Sequence, residues 1–124
     1  MIIRERAKVT TVDWGNGTSS RLLVAADNLG YTVCHTVVVA GTTSQLEYRN
    51  HLESCYCISG RGHVQESDGT IHEIVPGTLY ALDKNDAHLL IADEGDDLHL
   101  MSVFSPALRG DEVHSLDGSG YSAY

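Results

Sequence analysis

Short alternations of apolar and polar residues, rich in Val, Ile, Leu, Thr and Tyr, recur along this chain between clusters of glycine, asparagine and aspartate. A period of two bounded by turn residues is the pattern of half-buried strands. Nine are predicted: Ser20 to Ala25, Tyr31 to Val39, Gln45 to Arg49, Glu53 to Ser59, Gly62 to Glu66, Thr70 to Ile74, Leu79 to Leu82, His88 to Ala92 and Leu98 to Phe104. Turns are predicted at Asp27-Asn28-Leu29-Gly30, Ser59-Gly60-Arg61-Gly62, Ser67-Asp68-Gly69 and Asp93 to Asp97. Asp68-Gly69 is the sharpest hairpin signal and predicts a tight primed turn, which needs positive φ. Helical periodicity is absent except for a short piece near the N-terminus. The tail DGSGYSAY, Asp117 to Tyr124, is small and polar, as expected of a segment that is mobile or that orders only around a bound molecule.

Many short strands need their edges managed, and a double-sheet jelly roll or small barrel does so while leaving a cavity between the sheets. The stretch NHLESCYCISGRG, from Asn50, makes that cavity matter. Along a strand, Glu53, Cys55 and Cys57 share one face and Ser54, Tyr56 and Ile58 the other. If the first face lines the interior, a carboxylate beside two thiols suggests a metal or substrate site; if it meets solvent, Glu53 is an ordinary surface charge.

Composition narrows the classes of function. The 124 residues, 42% of them hydrophobic, suit one domain with one core spanning 1–124. Eight basic against 17 acidic residues, a formal charge of -9, repel phosphate backbones, so a small molecule is the expected partner and nucleic acid is not. No apolar run approaches the roughly 20 residues of a membrane span and none opens the chain, so a protein without a membrane partner, unexported and cytoplasmic, is expected. Cys34, Cys55 and Cys57 are odd in number, and an i, i+2 pair on one strand is badly placed for a disulfide, so buried reduced thiols are expected.

The succession Gly41, Glu53, Gly60-Arg61-Gly62, Asp68-Gly69, Pro76-Gly77 and His88 resembles the cupin family, although Glu47, Tyr48 and Arg49 stand where cupins usually carry a His-x-His pair. Within the cupins, NHLESCYC and PGTLYALDKNDAHLL resemble the ectoine synthase family, and the similarity continues through AGTTSQLEYRNHLE and VFSPALRGDEVH, about Arg21 to Asp117. The resemblance implies an all-β cupin jelly-roll barrel and a homodimeric hydro-lyase that uses Fe(II) to close N-gamma-acetyl-2,4-diaminobutyrate into the cyclic amidine ectoine, with loss of water. It places the metal ligands on Glu53, Tyr80 and His88. It places substrate contacts on Trp14, Arg21, Thr36, Tyr48, Ser102, Phe104, Glu112 and His114, with Tyr48, Glu112 and His114 as candidates for proton transfer.

The chemistry of the residues agrees with that trio. A carboxylate, a phenol oxygen and an imidazole form an oxygen-rich set suited to Fe(II), with Zn(II) or Mn(II) as alternative occupants. Taken singly, each has an ordinary reading: a hydrogen-bonded strand histidine, a core aromatic, a surface charge. His51 would share the face of Glu53 if the strand began that early, which makes it the substitute ligand. His35, His63, His72 and His99 have no partner pattern and are expected at the surface. Departures from the family lie at the periphery: Ser102-Val103-Phe104 replaces a Cys-Val-Phe stretch, Glu47 replaces an aromatic residue, and the segment from Trp14 to Arg21 is longer and less basic. The alternatives are a related cyclase acting on another acylated diamino acid and a non-catalytic cupin that binds a small molecule.

Overall fold

A computed structural model of the chain describes residues 1–114. The tail expected to be mobile, Asp117 to Tyr124, lies outside the described residues. Among the described residues, ten strands form two antiparallel sheets. They are β1 (Thr11–Asp13), β2 (Gly17–Leu23), β3 (Thr32–Val38), β4 (Thr43–Leu46), β5 (Leu52–Ser59), β6 (Gly62–Glu66), β7 (Ile71–Ile74), β8 (Leu79–Leu82), β9 (His88–Ala92) and β10 (Leu98–Ser105). The larger sheet runs β1-β2-β3-β10-β5-β8 and the smaller β4-β9-β6-β7. The helical signal near the N-terminus is one turn of 3-10 helix, Arg6–Lys8, and a second such turn covers Ala25–Asp27.

Alternation decides which side chains meet between the sheets. Leu98, Leu100, Ser102 and Phe104 of β10 are buried, while Met101 and Val103 between them face outward. The inner faces bury Val38, Leu46, Val64, Ile74, Leu82 and Leu90 in one cluster, with all three cysteines inside as free thiols.

Four predicted details change, the first being the strand expected over Ser20 to Ala25, which covers Gly17–Leu23 and gives way to the 3-10 turn at Ala25–Asp27. The strand expected over Gln45 to Arg49 instead covers Thr43–Leu46, because its ladder with β9 pairs Thr43 with Ile91 and ends at Leu46 with His88. Tyr48 therefore lies beyond the strand, yet it is buried, and its carbonyl accepts a hydrogen bond from Asn85 Nδ2 at 2.9 Å. The short β1 was not predicted; three residues carry too little pattern, and the strand forms on the ladder that β2 offers, with Thr11 and Ser20 hydroxyls 3.0 Å apart. At the sharpest hairpin only Gly69 has positive φ (92°), Gly69 N–H bonds to Glu66 O, and Glu66 N–H to Thr70 O. That is a three-residue loop with a glycine bulge, not a primed two-residue turn.

The expected surface histidines are half-buried at three of four positions: only His72 is exposed. His35 and His99 pair on the outer face of the larger sheet, Nε2 to Nδ1 at 2.9 Å. The N-terminal segment is tied down by Arg4, whose guanidinium forks onto the two oxygens of Asp27 at 2.6 Å each.

The turn from β5 into β6 admits no side chain at two of its positions. Gly60 has φ 83°, and a Cβ there would lie 2.4 Å from Asp97 O; a Cβ on Gly62 would lie 2.2 Å from Ile91 O. Both obstacles are backbone. Gly60→Ala is expected to destabilise the fold by about 2 kcal/mol or more, since left-handed strain adds to the clash. Urea unfolding of the variant beside Gly69→Ala, where no atom lies within 4 Å, checks this: Gly60→Ala must cost clearly more.

Candidate functional site

The face of β5 that carries Glu53, Cys55 and Cys57 is the inner one. β10 and β8 flank β5 and align its side chains in rows. One row runs Tyr80, Cys55, Ser102, Cys34 and Arg21 across β8, β5, β10, β3 and β2. The next holds Leu82, Glu53, Phe104 and Thr32. Polar and soft groups thus enter the core in register.

Glu53 is 6% exposed. Burial drives its carboxyl up to about 7, although hydrogen bonds from Cys55, Tyr48 and Ser102 pull the other way. Tyr80 is half-buried; loss of water, followed by the negative ends of Cys55 and Glu53, pushes its phenol well above the ordinary value. Such a group ionises only opposite a positive charge. His88 is buried on β9, and its Nδ1 lies 2.9 Å from the Asp86 carbonyl oxygen. A carbonyl accepts only, so Nδ1 carries the proton and Nε2 keeps its lone pair. That Nε2 is buried and has no hydrogen-bond partner among the described residues.

Aromatic rings close the cavity. The Tyr48 ring centroid is 5.6 Å from that of Phe104, 5.9 Å from that of His88 and 5.3 Å from that of His114, and His114 also meets Trp14 edge-on at 5.5 Å. Burial first, then the charge of Arg21, drives the His114 imidazole down to about 3, so it is neutral near pH 7 and a weak base there. Trp14 is fixed by its indole N–H on Val37 O at 3.1 Å. Thr36 and Ser102 hydroxyls lie 3.0 Å apart.

Most of the candidates line one cavity: Trp14, Thr36, Tyr48 and Glu53 with Tyr80, Ser102, Phe104 and His114. Cys55 also lines it; its side-chain period was legible, but its contacts with the neighbouring oxygens were not. The cavity measures about 20 Å³, room for one water or an ion. His88 reaches this region from another direction, lining with Tyr80 a groove of about 670 Å³ beside β7 and β8. Tyr80 is the wall shared by cavity and groove.

Arg21 and Glu112 stand behind the cavity. Arg21 Nη2 donates to the Glu112 carbonyl oxygen at 2.6 Å, and the Glu112 carboxylate accepts from Arg109 N–H and Gly110 N–H at 2.9 Å each. Burial works to raise the Glu112 carboxyl, and those backbone donors outweigh it and hold it below its usual range. Glu112 in this arrangement anchors the C-terminal arm that delivers His114; it does not face the cavity as a proton carrier.

His51 is set aside as a substitute ligand. β5 begins only at Leu52, and His51 Nδ1 lies 2.7 Å from Pro106 O, outside the cavity. A larger open groove of about 850 Å³ runs between the N-terminal segment and the loop at Arg109. Arg21 lines it beside three ion pairs, Arg4 with Asp27, Lys8 with Glu5 and Arg109 with Asp111. Among the described residues no three His, Cys, Asp or Glu side chains gather to hold a metal, and the side chain that joins Glu53 in the cavity wall from β8 is the phenol of Tyr80.

The family model described as ectoine synthase matches residues 1–123. An L-ectoine synthase of Hyphomonas neptunium is 41% identical over 124 residues, covering 96% of this chain and 92% of the relative. One of Marinomonas sp. is 45% identical over 106 residues, covering 85% and 81%. The crystal structure of ectoine synthase from P. lautus superposes with a TM-score of 0.83 at 33% identity, covering 89% of this chain and 81% of that one. A conserved-barrel cupin domain of Salinispora arenicola superposes with a TM-score of 0.69 at 21% identity over 85% of this chain and 88% of that one, which bears on the fold alone.

The electrostatics of Glu53 predict a pH dependence of the metal-free protein. Its folded pKa of about 7 lies above the reference value of 4.5, so the folded state binds more protons between those limits. Stability contributed by the protonated carboxyl is present below about pH 4.5 and is lost as pH rises through 7. In the presence of chelator, Glu53→Gln is expected to melt above the wild type near pH 8 and level with it near pH 4. A gap that does not change with pH runs against a buried, uncompensated carboxyl.

Proposed function

Because this chain belongs to the ectoine synthase family, we propose that it is a hydro-lyase that closes N-gamma-acetyl-L-2,4-diaminobutyrate into ectoine in the cavity walled by Tyr48, Glu53, Tyr80 and His114. The observation that carries the reading is a pair of unmet demands that both adjoin Tyr48, whose ring lies 5.9 Å from His88 and whose hydroxyl bonds to Glu53. The His88 Nε2 lone pair is buried without a partner among the described residues, and the Glu53 carboxyl is buried among hydroxyl and thiol groups. A divalent cation satisfies both and lowers the barrier to ionising Tyr80. Glu53, Tyr80 and His88 would hold it, Fe(II) first, with Zn(II) or Mn(II) as alternatives. When bound, such an ion supplies Lewis acidity toward a carbonyl oxygen.

The reaction joins the free α-amino nitrogen to the acetamide carbon, breaks that carbon's bond to oxygen, and leaves an amidine and water. The nitrogen must lose its protons and the departing oxygen must gain two. His114, neutral at physiological pH and a weak base, would orient the amine through a hydrogen bond, and a proton it takes would pass onward to the departing oxygen. Tyr48, whose hydroxyl reaches Glu53, is placed to donate toward the oxygen. Thr36 and Ser102 offer hydroxyls that orient the substrate's polar groups. Trp14, Phe104 and Tyr48 wall the site in rings, which restricts the flexible chain so that amine and carbonyl meet, and excludes water. At about 20 Å³ the cavity does not admit such a substrate until the walls part, and the His114 wall belongs to the C-terminal arm.

We further infer that the protein acts as a homodimer in a reducing, cytoplasmic setting. Three buried free thiols suit the setting. For the dimer, Tyr56, Ile58, Leu79, Met101 and Val103 are exposed on the outer face of the larger sheet, and Leu79, Tyr56 and Met101 lie in one cross-strand row. A contiguous apolar patch of this kind marks an association surface.

Glu53→Ala and His88→Ala should each lose iron after anaerobic loading and lose ectoine formation, while keeping the wild-type far-UV spectrum; unchanged iron content in both removes the ligand assignment. Ectoine formation by the iron-loaded wild type, followed by chromatography, separates the cyclase from a binder: iron bound without turnover above the Glu53→Ala level favours the non-catalytic cupin or another acylated diamino acid. Tyr56→Lys is expected to turn a dimer into a monomer in light scattering, and a wild type that is already monomeric removes the association surface.

A further inference from the structure

Cys55 is 2% exposed and stands in the row between Tyr80 on β8 and Ser102 on β10, two residues from Glu53 on the same face. Its sulfur is hydrogen-bonded to Tyr80, Glu53 and Ser102, the last at 3.5 Å. Ser102 is held in turn by Thr36 at 3.0 Å. The other two thiols are turned elsewhere: Cys57 Sγ lies 3.6 Å from Ser59 O and 3.8 Å from Gly60 O, and Cys34 bonds to Ser19 and Arg21.

We propose that Cys55 is a positioning residue for the two oxygen donors of the metal set, its thiol bridging Glu53 and Tyr80 and itself steadied by the Ser102–Thr36 pair. The proposal rests on the reading of Glu53 and Tyr80 as ligands. Both donors must be anionic to bind a cation well, and two anions on adjacent strands in a dry interior repel one another. A thiol between them costs little to bury: it accepts from the Tyr80 hydroxyl and gives its one weak proton to Glu53, and once Tyr80 ionises that proton is available to the phenolate as well. It therefore fixes how close the oxygens come without adding a charge. The backbone of β5 sets the position of its Cβ, and the Ser102 hydroxyl sets the rotamer. Groups that hold ligands in this way usually change metal affinity by tenfold or more when removed.

The test reads the phenolate directly. Protein loaded with iron and oxidised to the ferric state should show a phenolate-to-iron charge-transfer band, and Tyr80→Phe should remove it. Cys55→Val keeps the volume and removes the S–H. With one donor fewer, the phenolate holds its electrons less tightly, so the band should move to lower energy, and iron retention against a chelator should fall about tenfold. Cys55→Ser restores a donor and should return the band toward its wild-type position. Cys55→Ala gives the same comparison if the valine variant does not fold. A band that stays in place in the folded variants makes Cys55 a passive filler and overturns the proposal. A band that survives Tyr80→Phe and vanishes in both Cys55→Val and Cys55→Ser makes the sulfur itself a ligand and overturns it as well. A wild type with iron bound but no band overturns the Tyr80 assignment first, and the bridging role with it.

Discussion

The register of β5 between β10 and β8 decides what this protein can be. Cys55 faces Ser102 on one side and Tyr80 on the other, and both ladders agree on that alignment. A slip by one residue would turn Glu53, Cys55 and Cys57 into solvent and bring Ser54, Tyr56 and Ile58 inside. The cavity would then lose its carboxylate and the outer face its apolar row. Gly60 and Gly62 pin the register, because the chain leaves β5 through a turn pressed against the backbone of Asp97 and Ile91.

Once the register is set, the interior must satisfy the polar groups it has taken in. Thr36 meets Ser102, Ser102 meets Cys55 and Glu53, and Tyr48 meets Glu53. At His88 one nitrogen is spent on the Asp86 carbonyl, and the other is buried without a hydrogen-bond partner among the described residues. Buried groups left without partners are costly, so a fold that keeps one has a use for it. The same low dielectric that raises Glu53 and lowers His114 assigns their chemistry. Glu53 is part ionised near neutral pH, which a nearby cation would complete, and His114 stays neutral there as a weak base.

Much of this was legible in the chain. Gly62–Glu66, Leu79–Leu82 and His88–Ala92 lie where alternation places them, because each has one apolar face and clear turn residues beside it. β1 was not legible, since three residues hold no period, and β4 was displaced toward Thr43 because its ladder with β9 outweighs local propensity. Tyr48 is buried although no strand holds it. His51 was a reasonable ligand by parity and is removed by the start of β5 and by its bond to Pro106. Glu112 carried the right charge for proton transfer, but its oxygens are spent on the turn at Arg109 and Gly110.

By itself the sequence determined the class of fold, the inward face of β5 once an interior was assumed, the smallness and single core of the domain, and a donor set rich in oxygen. These are properties of spacing and composition, which one strand carries alone. The tertiary structure decided which of the donors meet. It placed Tyr80 opposite Cys55, left His88 with an open nitrogen, swung His114 between Trp14 and Tyr48, and drew Arg21 and Glu112 back from the cavity. Hydrogen bonding and desolvation depend on neighbours distant in the chain, and only closure of the two sheets brings those neighbours together.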